Sequence, residues 1–325
     1  MTLSKALPVP IRQPDAPTMT IAIGPGGAGA AAWKPVAVAL GPVTELYAVR
    51  LPGRENRFRD PLLRSVAEQS AHIVDHLTEL LARDPRPYRL VGVCSGAIVA
   101  FEAALMLQRT DRPPAALVAI CQEAPWELGT EPSTYDLEPE QFRNWVLRET
   151  WVGSTAAANP AALDLFEPTL RADCEAADTY RYNAEGGALT IPLVTITTDR
   201  DPLVPPGAAK AWAKGANGGH LALTVPGDHH LLMSDPAALA GALREVIVCE
   251  GDSSMDMVER LRAIWEEQLG FAVTGEDDDF FDLGGDSLMA LEIAKQAREQ
   301  GIAMSPGALL DHTTLRELAA AVTDA

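Results

Sequence analysis

Cysteine is scarce and scattered in this chain. The four residues, Cys94, Cys121, Cys174 and Cys249, form no C-x-x-C pair. That excludes a disulfide framework and a zinc site of closely spaced thiolates, and it fits free thiols in a reducing cytoplasm. Long apolar runs are missing too. None reaches the length of a membrane span, and Met1-Thr2-Leu3-Ser4-Lys5 leads into no signal-peptide core, so no membrane association is expected. Positive charge is under-represented: 26 Lys and Arg stand against 45 Asp and Glu, a formal net charge of −19 that argues against nucleic acid as a partner. Internal repeats are absent. What remains is the composition of an ordinary globular protein, 47% hydrophobic and 22% charged over 325 residues, with room for one large and one small domain.

The acid is unevenly spread. Residues 256–325 hold 15 Asp and Glu against 5 Lys and Arg. The first 17 residues are proline-rich and read as a flexible tail. From residue 18 to 248 short apolar runs alternate with helical stretches, the pattern of a mostly parallel sheet covered by helices. Strands are expected at Thr20–Ile23, Glu45–Leu51, Arg89–Val93, Ala116–Ile120, Leu193–Thr197 and Leu221–Val225. Between about 126 and 182 the strands stop. Helices at Glu138–Arg148 and Ala161–Tyr180 then form an inserted lid. Residues 249–255 are polar, contain a glycine and read as a linker. Beyond it, Met257, Val258, Leu261, Ile264, Trp265 and Leu269 follow the spacing of an amphipathic helix. Ser287–Arg298 is a second helix, and Thr314-Leu315-Arg316-Glu317 has capping-box spacing for a last one.

The chemistry centres on Gly92-Val93-Cys94-Ser95-Gly96, a G-x-C-x-G form of the α/β-hydrolase nucleophile elbow. A buried-strand run precedes it and a strong helix former, Ala97–Leu105, follows. The pentapeptide alone would serve a buried structural cysteine as readily. Hydrolase chain order, nucleophile then acid then histidine, reads here as Cys94, Asp201 and His229, the last two each following an expected strand. Asp199, His230 and, more remotely, Glu123 compete for the acid and base positions. An oxyanion hole would draw one N–H from Ser95 and a second from Gly24-Pro25-Gly26-Gly27-Ala28-Gly29, most naturally Gly26. That loop also spells G-x-G-x-x-G, but Glu45 opens the next strand and Arg50 ends it, whereas a ribose-binding acid belongs at the strand end.

Two resemblances follow. Asp279-Phe280-Phe281-Asp282-Leu283-Gly284-Gly285-Asp286-Ser287-Leu288 resembles the modification site of peptidyl and acyl carrier domains. The resemblance implies a four-helix all-α carrier over 256–325 with 4′-phosphopantetheine attached to Ser287, installed by a phosphopantetheinyl transferase. The competing reading of Ser287 is a plain helix N-cap. The acidic run 276–279 lacks the glycine and closing glutamate of a calcium loop and reads as a solvated face.

In the larger part, Ala48-Val49-Arg50-Leu51-Pro52-Gly53-Arg54-Glu55-Asn56-Arg57, the elbow, Leu170-Arg171-Ala172-Asp173 with Thr179-Tyr180-Arg181-Tyr182, Asp201-Pro202-Leu203-Val204-Pro205 and Gly227-Asp228-His229 together resemble type II thioesterases of nonribosomal peptide and polyketide assembly lines. This implies an α/β-hydrolase fold with a helical lid, acting on carrier-bound acyl or aminoacyl thioesters, with other assembly-line carriers as partners. Pro25 departs from the aromatic or histidine that the family usually places there. Arg54, Glu55 and Arg57 are expected to make buried ion pairs beneath the site loops.

Sulfur in the elbow shifts the expected reaction. A serine ester of the acyl group ends most readily in hydrolysis, whereas a cysteine thioester keeps the activation of its precursor. The leading expectation is therefore an acyl or aminoacyl shuttle through Cys94 to another carrier thiol, including the arm on Ser287. A hydrolytic or cyclising thioesterase is the second reading, and a non-catalytic docking platform beside a working carrier is the third.

Overall fold

A computed structural model describes residues 5–129, 133–149, 160–204, 207–299, 302–305 and 307–324. The chain divides into two compact units, Met1–Arg244 and Glu245–Ala325.

The first unit is built on six parallel strands, β1 (Met19–Ile23), β2 (Glu45–Ala48), β3 (Tyr88–Val93), β4 (Leu117–Ile120), β5 (Leu193–Thr198) and β6 (His220–Val225), in the order β2-β1-β3-β4-β5-β6. β1 to β4 are buried along their whole length, which is why they read as unbroken apolar runs and not as alternating patterns. Helices α1 (Lys34–Leu40), α2 (Val66–Leu81) and α3 (Ser95–Leu107) connect the early strands. α2 opens on a capping box in which Ser65 and Glu68 satisfy each other's backbone N–H groups. α3 carries little polar surface because almost every residue of it is buried against the sheet.

From residue 5 onward the proline-rich start is not loose, and residues 1–4 lie outside the described residues. Ala6, Leu7 and Ala16 are buried, and the carbonyls of Pro8 and Ala6 accept the N–H groups of Ala48 and Arg50 at 3.0 and 2.7 Å. Arg12 pairs with the fully buried Glu45 carboxylate. A segment rich in proline donates few hydrogen bonds but can accept them, so it covers the open edge of β2.

Between β4 and β5 lie α4 (Pro139–Glu149) and α5 (Pro160–Asp178), close to the helices expected there. Phe142, Val146, Leu163 and Leu170 give this insertion a small apolar core of its own. Arg171 lies 4.1 Å over the Phe142 ring and donates to the carbonyls of Tyr135 and Leu137. The hydroxyl of Tyr180 donates to Glu102 on α3 at 2.6 Å, anchoring the end of the insertion to the sheet layer.

α6 (Pro236–Leu269) is helical through residues 249–255, where the sequence predicts a linker, and the division between units falls slightly earlier, at Arg244. In the second unit, α6 is followed by α7 (Ser287–Glu299), α8 (Ala308–Asp311) and α9 (Leu315–Ala321). Leu261, Trp265, Phe280, Ile293, Leu309 and Leu318 form its core. Thr314 caps α9 by accepting the Glu317 N–H. Acidic residues 276 and 277 face Arg316, and Glu276 also faces Arg262. No helix among the described residues is long and apolar enough to cross a membrane.

Candidate active site

β3 ends at Val93 and α3 begins at Ser95, leaving Cys94 alone to reverse the chain. It does so with φ 53° and ψ −134°, a conformation that non-glycine residues rarely adopt. Its N–H is tied to the Ile120 carbonyl of β4 at 2.9 Å and its carbonyl accepts from Ala97 at 2.7 Å. A Cβ on Gly92 would strike the Ala97 and Gly96 backbone, and one on Gly96 would strike the carbonyls of Ile23 and Gly24. The spacing of the two glycines is thus a requirement of close backbone approach, and the strain at Cys94 is held by packing on both sides.

Asp201 lies three residues after β5 and His229 four residues after β6, so both stand at the carboxyl edge of the sheet beside Cys94. His229 Nδ1 lies 2.9 and 3.1 Å from the two Asp201 oxygens, and Asp201 Oδ1 also accepts the N–H groups of Leu203 and Val204 at 2.8 and 3.0 Å. Both side chains are almost fully buried. The Cys94 thiol and the His229 ring line the same cavity. Burial alone would push the His229 pKa down. The hydrogen bond to Asp201 and the neighbouring Cys94 outweigh it and raise the pKa to about 10. For Asp201, burial acts upward, but the His229 and backbone hydrogen bonds win and hold its pKa below the usual carboxylate range.

The rival residues have other occupations. Asp199 accepts the Gly227 N–H at 2.9 Å. His230 stacks edge-on to His229, and burial followed by the charge of His229 lowers its pKa. Glu123 lines the neighbouring cavity instead of meeting His229 Nδ1, whose carboxylate partner is Asp201. Glu45 is bound to Arg86 and Arg12, away from any ribose position.

A cavity of about 250 Å³ lies over Cys94, with Val93, Trp145, Leu170, Leu203, Leu232 and Met233 as its apolar walls. A second, of about 160 Å³, adjoins it and shares Pro25, Gly26, Ser95, Gln122, Asp173 and Ala177. Gly26 and Ser95 are close: a Cβ on Gly26 would lie 3.6 Å from Ser95 Oγ. Among the aromatics of the insertion, Trp145 faces the cavity, whereas Trp126 packs with Phe101, Tyr182 and Trp212. Phe166 is partly exposed and Trp151 lies outside the described residues. Two further thiols sit nearby. Burial pushes Cys121 and Cys174 each up to about 12, so both stay protonated and inert at neutral pH.

Sequence reasoning missed the role of Asp173, although its motif was visible. Asp173 pairs with Arg54, and both are buried. Glu55 accepts the Ala31 N–H at 2.9 Å and pairs with Arg50, and Arg57 pairs with Asp60. Only the first of these pairs is fully buried.

In the second unit, Ser287 is the first residue of α7 and is exposed. The N-cap duty belongs to Asp286, whose Oδ1 accepts the N–H groups of Leu288 and Met289 at 2.8 Å each. Gly284 has φ 97°, and a Cβ on Gly285 would enter the Phe280 ring. The paired glycines therefore present an outward hydroxyl, which fits a bulky phosphodiester substituent. Because Asp286 already uses the first free N–H groups, it is exposure more than anion binding that suits the position.

The matching family model is the thioesterase domain, over residues 20–247, and a phosphopantetheine attachment site model matches 259–322. The chain belongs to the thioesterase domain family. It is 31% identical over 194 residues to thioesterase PikA5 of Streptomyces venezuelae, covering 59% of this chain and 68% of that one. The type II thioesterase BorB from the borrelidin biosynthetic cluster superposes with a TM-score of 0.64 at 28% identity, covering 75% of this chain and 97% of its own. The carrier part is 43% identical over 65 residues to a linear gramicidin synthase of Brevibacillus parabrevis, 20% of this chain but 1% of that far longer protein. The first unit thus has the α/β-hydrolase fold of thioesterases, and the second is a carrier that holds 4′-phosphopantetheine covalently.

Proposed function

We propose that this protein is a cysteine-dependent acyltransferase of nonribosomal peptide or polyketide biosynthesis. It takes an acyl or aminoacyl group from a carrier thioester onto Cys94 and passes it to another carrier thiol. The observation that carries this reading is Cys94 at a strained elbow sharing a cavity with a His229 that is hydrogen-bonded to Asp201. The family membership of both units supports it.

His229 holds the Cys94 thiol proton as imidazolium, the form that Asp201 and the neighbouring Cys94 together favour. The Cys94 sulfur attacks the thioester carbonyl, and the N–H groups of Ser95 and Gly26 receive the developing oxyanion. His229 returns the proton to the departing carrier sulfur, leaving the acyl group on Cys94. An incoming carrier thiol then reverses the sequence, giving its proton to His229 as it takes the acyl group. Sulfur-to-sulfur exchange leaves the thioester energy nearly unchanged. Ser287 holds the chain's own pantetheine arm, which supplies a mobile thiol of the kind that can accept such a group.

The test is to mix the protein with an acyl-pantetheine carrier and follow every species by intact-mass spectrometry. Acyl mass on Cys94, lost in Cys94→Ala, followed by its appearance on a second carrier, is the expected result. Free acid or a cyclic product instead would make the protein a releasing thioesterase, and an unaffected Cys94→Ala would remove Cys94 from the chemistry. Cys94→Ser separates the sulfur from the scaffold: it should divert transfer to hydrolysis or stall as an oxygen ester.

A further inference from the structure

The buried pair Arg54–Asp173 is out of proportion to any structural need. Withdrawing two charges from water is costly, and an apolar pair of the same size would hold the elements together as well. Its geometry suggests a reason. Asp173 sits on α5 of the insertion, in the C-terminal half of that helix, and is 7% exposed. Asp173 Oδ2 accepts the N–H of Gly27 at 2.6 Å and takes the Arg54 guanidinium as well. Oδ1 receives Gln69 Nε2 at 3.4 Å. Arg54 is itself held by the Pro52 carbonyl at 2.9 Å. The carboxylate is thus fixed from three sides and aimed at a single backbone N–H of the loop after β1.

That N–H belongs to the peptide joining Gly26 to Gly27. In a trans peptide the carbonyl points opposite to the N–H, so holding the Gly27 N–H also sets the Gly26 carbonyl and the Gly26 backbone angle. Two consecutive glycines have no intrinsic preference that would keep the loop in one conformation. We propose that Asp173 is a positioning residue for the oxyanion hole: it locks the Gly26–Gly27 peptide and so makes assembly of the hole depend on α5 being seated. This rests on the reading of Cys94 as nucleophile and Gly26 as an oxyanion donor.

The test exploits two reactions of one thiol. Acylation by a thioester builds an oxyanion, whereas alkylation of Cys94 by iodoacetamide does not. Because Asp173→Ala alone would strand the Arg54 charge, the comparison is made in the full chain with Arg54→Met, pairing Asp173→Asn, which keeps an acceptor for Gly27, with Asp173→Leu, which has none. The Leu variant should acylate Cys94 from a saturating acyl-pantetheine roughly 10-fold or more slowly than the Asn variant, short of the 10²–10³-fold that losing a donor outright costs. Half-saturation and the alkylation rate should stay within about 2-fold of each other in the two variants. Equal acylation by both variants overturns the proposal, as does a parallel fall in acylation and alkylation, the sign of a generally damaged site. A wild-type protein that never carries the acyl group on Cys94 overturns the underlying reading instead, and that outcome is visible before any variant is made.

Discussion

Cys94 is held in a left-handed conformation that a cysteine would not choose, with its sulfur beside an imidazole whose far nitrogen is already committed to a carboxylate. The pairing also has a thermodynamic signature. The folded pKa of His229 is raised from 6.5 to about 10, so its contribution to stability is fully present below about pH 6.5 and is lost as pH rises through about 10. Asp201 works in the opposite sense: its pKa is lowered on folding, so its contribution is lost as pH falls through the acid range. The difference in melting temperature between the wild type and His229→Ala should therefore be largest near and below pH 6.5 and shrink steadily toward pH 10. A constant difference across that range would show that His229 is not charged through Asp201 and Cys94.

At the scale of elements, the turn between β3 and α3 was legible in the sequence because its requirements are local. A fully buried strand, two glycines and a strong helix former leave few alternatives, and the structure shows backbone atoms occupying the space a side chain would need at Gly92 and Gly96. Gly92→Ala should cost about 1–3 kcal/mol, as overpacking does, and should abolish acylation of Cys94 as the elbow shifts. A urea midpoint and intact mass together check it, and a stable, fully active variant would contradict the packing argument. Strands β1 to β4 were legible for the same reason, since burial along their whole length writes itself as continuous apolar runs. The proline-rich start was not. Its order comes from carbonyls that meet the β2 edge, and acceptor positions leave no trace in side-chain identity.

For the whole molecule, the pairing of a thioesterase fold with a carrier on one chain is the feature with most functional weight. The two should be separable by a single residue. Ser287→Ala should gain no mass with a phosphopantetheinyl transferase and coenzyme A, while Cys94 still accepts an acyl group from an external carrier within about 2-fold of the wild-type rate. A loss of Cys94 acylation in that variant would mean that the chain's own arm is an obligatory donor. The concentration of acid in residues 256–325 was also readable from the sequence, and at 276 and 277 the structure places it against Arg316.

The sequence by itself determined the order of strands and helices, the sharp turn at Cys94 and the exposed serine after paired glycines. Each depends on neighbours along the chain. Only the tertiary structure decided that Asp201 and not Asp199 or Glu123 holds His229, that Asp286 relieves Ser287 of the capping role, and that Asp173 reaches back from the insertion to Arg54 and Gly27. A carboxylate two residues along a loop has the same composition and nearly the same charge. What distinguishes it is the direction in which the folded backbone points it, and that is set by contacts between segments far apart in sequence.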